Sequence, residues 1–160
     1  KDLFCEELRN DIMPLVESTY STYAPTADTD GFAASRDHRA FSGYSQGSSA
    51  CWIAMKHLLD TARWWMPLSF ASTAASVKEG ILAQRDYADD FFIYVGSGGP
   101  RDPAYEGTVS MLKDMAADNF FSFGTDMHSN NLYVTISNEV HQTLIGRYYM
   151  YNAFCDGFLK

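Results

Sequence analysis

Phe41-Ser42-Gly43-Tyr44-Ser45-Gln46-Gly47-Ser48 constrains the fold more than any other stretch of the chain. It holds a Gly-x-Ser-x-Gly pattern, with the β-prone run Arg39-Ala40-Phe41 before it and a helical pattern from Gln46 to Asp60 after it. A serine on a strained turn between strand and helix needs small flanking residues, because larger ones collide with neighbouring backbone, and Gly43 and Gly47 meet that need. Such an elbow lifts the Ser45 hydroxyl off the end of a sheet. It also aims the backbone N–H of Gln46, at the positive end of the new helix, at the place where an oxyanion would form. Ser45 is the candidate nucleophile and Gln46 the candidate oxyanion donor.

The remaining elements alternate between helix and strand. Phe4, Leu8, Ile12, Leu15 and Val16 recur at helical spacing, which predicts a helix over Leu3 to Tyr20 with a bend at Pro14. Ser21 to Asp37, punctuated by Pro25, Asp28, Asp30 and Gly31, reads as loop. A strand over Arg39 to Tyr44 leads into the elbow, and Trp64 to Leu68 reads as a buried strand. Ser76 with Glu79 reads as a capping box opening a helix that carries Val77, Ile81 and Leu82. Phe91 to Val95 is the clearest strand, and Gly96-Ser97-Gly98-Gly99-Pro100 after it reads as a flexible loop leading to Asp102. Val109, Leu112, Met115 and Ala116 mark a helix, and Leu132 to Ile136 a strand. The last helix, Thr143 to Asp156, stacks Leu144, Tyr148, Tyr151 and Cys155 along one side, with Gly157 as terminator. This alternation predicts an α/β domain with a parallel sheet.

Such a sheet must be covered on both faces, and 160 residues with 46% hydrophobic content suffice for one domain and not two. The net charge of −8, with no basic stripe to neutralise phosphates, argues against nucleic acid as a partner. Apolar runs break well before membrane-spanning length, which predicts a soluble chain without a membrane partner. Cys5, Cys51 and Cys155 lack metal-ligand spacing; one disulfide among them, or three small buried hydrophobes, are both open readings. Lys1-Asp2-Leu3-Phe4 has no Met and no signal-peptide character, and the expectation is that the chain begins partway through a domain.

In a parallel sheet, reactive groups gather in the loops after the carboxyl ends of strands. Three such loops carry Ser45, Asp102 and His141, in the chain order Ser, Asp, His of the α/β-hydrolase arrangement. Serine is a poor nucleophile at its own pKa, so His141 would accept its proton during attack and return it to the leaving alkoxide. Asp102 would hold the imidazole in the useful tautomer. Other histidines fit blander roles: His38 packs or caps locally, His57 is a hydrogen-bonded core histidine on a helix face, and His128 is solvated in a polar turn. Asp89 and Asp90 precede their strand, at the wrong end, and read as a solvated charge pair.

Several segments together carry a resemblance. They are Pro14-Leu15-Val16-Glu17-Ser18-Thr19-Tyr20-Ser21-Thr22-Tyr23-Ala24, Ala33 to Gly47 through the elbow, Met66-Pro67-Leu68-Ser69, Gly96-Ser97 with Asp102-Pro103-Ala104-Tyr105, and His141 ahead of an aromatic-rich last helix. From Phe4 to Phe158 the chain resembles the C-terminal two-thirds of a feruloyl esterase of the esterase D-like group, family one of the carbohydrate esterases, in the α/β-hydrolase superfamily. The family's triad falls on Ser45, Asp102 and His141.

The resemblance implies a secreted serine esterase that cleaves hydroxycinnamoyl esters on plant cell-wall polysaccharide such as arabinoxylan through an acyl-enzyme. No metal or organic cofactor is implied. Trp65, Phe70 and Tyr105 are the candidates for an apolar slot that takes a feruloyl group. Two departures bear on that slot: Gln142-Thr143-Leu144 stand where relatives have aromatics, and Phe70-Ala71-Ser72-Thr73-Ala74 replace an acidic and aromatic cluster. An acetyl-xylan or short-chain carboxylesterase is the nearest alternative, and a catalytically silent carbohydrate- or protein-binding homologue is another. The family's earlier strands, one of which is followed by the second oxyanion donor, are missing from this chain. The expectation is that they exist upstream, in the same domain, among modules of a multidomain enzyme, since a bare sheet edge invites aggregation. Losing one oxyanion donor costs on the order of a hundredfold to a thousandfold in rate, so residues 1–160 alone are expected to be nearly inactive.

Overall fold

Trp64–Leu68 and Phe92–Ser97 are apolar on both faces, which in a sheet requires helices above and below. A computed structural model, describing residues 3–159, supplies them. Strands β1 (Ala40–Tyr44), β2 (Trp64–Leu68), β3 (Phe92–Ser97) and β4 (Leu132–Ile136) pair in parallel, in chain order. On one face lie α1 (Leu3–Glu7), α4 (Gln46–Met55), α5 (Ala74–Leu82) and α6 (Tyr105–Ala116), whose Cys5, Trp52, Val77, Ile81 and Met111 pack with Trp65, Ile93, Val95 and Leu132 of the sheet. On the other lies α7 (Thr143–Cys155), whose Ile145, Tyr149 and Ala153 pack with Trp64, Met66, Leu68, Phe92 and Tyr94. The alternation of strand side chains thus splits the core into two layers.

Register places the site. Tyr44 pairs with Leu68, Leu68 with Gly96, and Gly96 with Thr135, so the carboxyl ends of the strands are flush. The next residues, Ser45, Ser69 and Ser97, follow as a row of hydroxyls along that edge.

Several local readings change. The first helix is broken into α1, a π-helical segment (Leu8–Ile12) and α2 (Met13–Thr19). Pro14 sits in the first turn of α2, where its missing N–H costs nothing, and the wider π turn closes through Met13 N–H to Leu8 O. The expected loop at Ser21 to Asp37 contains α3 (Thr29–Ala34), because Asp28 acts as its N-cap and accepts from Gly31 N at 3.0 Å. A 3-10 turn, Arg36–His38, follows. Helix α4 stops at Met55, short of Asp60. Helix α5 is capped by Thr73, which accepts from Ser76 N at 3.3 Å, so the capping residue lies three positions before the expected Ser76.

The expected stripe on α7 is turned outward: Leu144, Tyr148 and Tyr151 are 53%, 55% and 66% exposed. This helix carries large apolar residues all round, so periodicity could not choose its inner face. Cys5 and Cys51 are buried and Cys155 is exposed. Among the described residues no helix is long and apolar enough to cross a membrane.

Candidate active site

Ser45 links β1 to α4 with φ 57° and ψ −117°, a left-handed backbone that a residue with a Cβ adopts only under strain. Its N–H donates to Leu68 O at 2.8 Å, fixing the turn to the end of β2. The steric demand falls on Gly43, where a Cβ would lie 2.0 Å from Gly47 O. A Cβ on Gly47 would meet nothing within 4 Å, so it is the backbone of Gly47 that dictates glycine at 43. Gln46 is the first residue of α4, and its N–H is one of the helix's amides without an intrahelical acceptor.

Asp102 is 3% exposed, in the loop between β3 and α6. Its Oδ2 accepts from Gly98 N at 3.1 Å and its Oδ1 from Ala104 N at 2.9 Å. A Cβ at Gly98 would stand 2.6 Å from Oδ2, so glycine there lets the carboxylate tuck against the backbone. This loop is not the flexible one its glycines suggest. Gly98 and Gly99 are buried, Gly99 N donates to Glu139 O at 3.0 Å, and Asp102 N donates to Gly99 O at 2.8 Å. Burial pushes the Asp102 carboxyl up, but the Ala104 N–H, the His141 imidazole and the Gly98 N–H outweigh it, and the pKa ends below its usual 3.8. Ser69 acts in the same downward direction by proximity, although its Oγ makes no hydrogen bond of good geometry.

His141 lies in the loop between β4 and α7. Nδ1 is 2.9 Å from Asp102 Oδ1, and Nε2 is 2.8 Å from Ser45 Oγ. With Asp102 ionised, Nδ1–H donates to the carboxylate and leaves Nε2 as acceptor for the serine hydroxyl. Ser137 N to Ser97 O (3.0 Å) and the Ser137–Tyr149 hydroxyl pair (2.8 Å) hold the loop to β3 and α7.

A cleft of about 450 Å³ opens beside Ser45 and His141. Phe70, Ala71, Pro103, Ala104 and Gly107 wall it, with Ser69 on the sheet side. Of the three slot candidates, Phe70 lines this cleft and is 48% exposed. Trp65 does not reach it: the β2 alternation turns it into the core, 1% exposed, with Nε1 donating to Ala62 O at 3.1 Å. Tyr105 opens α6 between the lining residues Ala104 and Gly107 but does not line the cleft itself. Ser69 and the Ala104–Gly107 wall escaped sequence reasoning because their placement depends on strand register and on where α6 starts.

The other histidines stay apart from the cleft. His38 stacks on Tyr23 at 3.9 Å, while His57, past the end of α4, and His128 are exposed. His57 is thus not the core histidine its helical position suggests. Asp90 pairs with Arg36 and Arg63.

Two solved structures share this fold closely. One, of FAE, matches 98% of this chain at TM-score 0.88 and 31% identity, which is 58% of its own length. The other is a serine-to-alanine mutant of the feruloyl esterase module from Clostridium thermocellum complexed with sinapinate; it matches 98% of this chain at TM-score 0.89 and 31% identity, again over 58% of its length. The chain has the α/β-hydrolase fold and is similar to feruloyl esterase modules. In sequence, endo-1,4-beta-xylanase Y of Acetivibrio thermocellus is 31% identical over 163 residues, which is 94% of this α/β-hydrolase chain and 15% of the xylanase. The chain therefore spans less than two thirds of the length of each of these relatives. No family model matches it.

Proposed function

We propose that this chain carries the nucleophile, base and acid of a secreted serine esterase that hydrolyses hydroxycinnamoyl esters on plant cell-wall polysaccharide such as arabinoxylan. The observation that carries the reading is the hydrogen-bonded series Ser45–His141–Asp102, 2.8 and 2.9 Å, at the mouth of an apolar cleft. The likeness to a module complexed with sinapinate, itself a hydroxycinnamate, supports the acyl group, and the likeness to a xylanase supports the polysaccharide. At about 450 Å³ the cleft has room for a ring that an acetyl group would leave empty.

Ser45 Oγ attacks the ester carbonyl carbon while its proton passes to His141 Nε2. The oxyanion forms next to the Gln46 N–H. Collapse breaks the bond to the sugar oxygen, which takes the proton from His141 and leaves as an alcohol. Water then gives its proton to His141 and attacks the acyl-enzyme, releasing the hydroxycinnamate and restoring Ser45. Asp102, anionic and nearly dry, stabilises the imidazolium in both steps. Phe70 offers its ring as a face for the acyl group.

The second oxyanion donor is assigned to a segment that pairs with the edge of β1 left uncovered among the described residues. Every residue of β1 is only half-buried, whereas β2 is buried throughout, and the outward face of α7 supports the same placement. Such a segment would belong to the same domain, within a longer chain that includes other modules.

Hydrolysis by the native full-length protein of methyl ferulate against a short acetyl ester and acetylated xylan tests the reading. A clear preference in kcat/KM for the ferulate is expected. Turnover of the acetyl esters alone assigns the chain to the acetyl-xylan or short-chain esterases, and turnover of none, with Ser45 unlabelled by a fluorophosphonate, assigns it to silent binding proteins.

A further inference from the structure

Behind Ser45 and His141 lie two buried hydroxyls without hydrogen-bond partners, those of Tyr44 and Ser69. Both belong to the flush carboxyl edge of the sheet, Tyr44 as the last residue of β1 and Ser69 as the first after β2. The Tyr44 ring lies against the His141 imidazole, centroids 4.9 Å apart and planes 31° apart. Helix α7 backs that ring at Gly146, where a Cβ would come within 2.8 Å of it. Ser69 is 1% exposed, held at φ 53°, follows Leu68, the register partner of Tyr44, and lines the same cleft as Ser45 and His141; its hydroxyl also helps to lower the pKa of the Asp102 carboxyl. Burial pushes the phenol's pKa up, so it remains a donor at neutral pH. Asp102 Oδ1 already accepts from His141 and Ala104, whereas Oδ2 accepts from Gly98 N and has capacity for a second donor.

We propose that Tyr44 and Ser69 are positioning residues for the esterase reaction: Tyr44 O–H donates to Ser69 Oγ, Ser69 O–H donates to Asp102 Oδ2, and the Tyr44 ring stabilises the imidazolium of His141. The proposal rests on the esterase reading above. No proton changes hands along this series. It satisfies two interior hydroxyls that otherwise remain unpaired, and it closes a circuit in which the acid is fixed from one side and the base from the other. The ring contributes as a π face, which attracts the positive charge that His141 gains during each step.

Asp102 from the β3–α6 loop and Tyr44 from β1 face His141, and Tyr149 from α7 lies near both Asp102 and Tyr44. Glu139 lies on the His141 loop itself, and Arg101 donates to Asn138 O on that loop at 3.4 Å. Of these, the variants below alter Tyr44 alone.

The test has two parts. In a double-mutant cycle, Tyr44→Phe and Ser69→Gly, the glycine chosen to suit the left-handed backbone, should each lower kcat by about fivefold with KM little changed. The double variant should be no slower than the worse single one, because both break the same series. In the second part, Tyr44→Leu should lower the His141 pKa, read by NMR of the imidazole, by about half a pH unit, while Tyr44→Phe leaves it in place. Losses that multiply in the cycle, or a His141 titration that Tyr44→Leu does not move, overturn the proposal. A wild-type protein without esterase activity defeats the reaction reading alone, and the titration, which needs no substrate, then decides this one. The cycle uses only conservative changes, so it stands even where Tyr44→Leu fails to fold.

Discussion

Asp102 is nearly buried and yet an anion, because backbone amides and the imidazole aim at it from both sides. Asp102→Asn keeps the shape but favours the wrong imidazole tautomer, and a fall in kcat of about ten-thousandfold is expected in a steady-state assay. The same carboxyl links stability to pH. Its folded pKa lies below the unfolded value, so its contribution is fully present above about pH 4 and is lost as pH falls through the folded value. Melting temperatures taken from pH 6 down to pH 2 should therefore drop more steeply in the wild type than in Asp102→Asn. A parallel fall in both would contradict the assigned shift. Gly98→Ala pushes a Cβ against this carboxylate and should lower kcat with little change in KM. The meeting of Ser45, Asp102 and His141 was legible because the Gly-x-Ser-x-Gly pattern and the strand–loop–helix order each restrict position independently. The role of Gly98 was not, because it depends on a loop folding back on its own side chain.

At the scale of elements, the start of α6 presents Gly107 and the preceding cap residue Ala104 to the cleft, with the chain wall at Phe70 and Ala71 opposite. Gly107→Leu should fill that space, lowering kcat/KM for methyl ferulate by about tenfold or more while sparing a short acetyl ester. Equal losses on both substrates would mean that the acyl group lies elsewhere. The 3-10 turn before β1 is fastened by Arg36, which is 6% exposed, donates to Leu59 O at 2.9 Å and pairs with Asp90. Arg36→Ala leaves that carbonyl without its donor, and with Asp90 half exposed the cost should be about 2 kcal/mol by urea denaturation. The inner strands were legible because β2 and β3 are apolar without a break. Trp65 was misplaced because both faces of β2 are large and aromatic, and only pairing register shows which side meets the cleft. Helix α3 was hidden because Asp28 and Gly31 read as loop formers when Asp28 in fact caps the helix.

At the scale of the molecule, β1 has one hydrogen-bonding edge that no strand covers among the described residues, and α7 turns Tyr148, Tyr151 and Phe154 outward. Unpaired edges and exposed aromatic stripes drive association. Residues 1–160 expressed alone should self-associate with rising concentration in sedimentation velocity, and a stable monomer with a cooperative melt would contradict the assigned partner segment. Alternating helix and strand made the parallel sheet legible, whereas the outward face of α7 was hidden by its apolar residues on every side. The central claim is that Ser45 is the group acylated. Mass spectrometry of the native protein quenched during turnover of a feruloyl ester should find the acyl adduct on the peptide carrying Ser45, with none in Ser45→Ala. An adduct on another residue, or undiminished hydrolysis by Ser45→Ala, would contradict it.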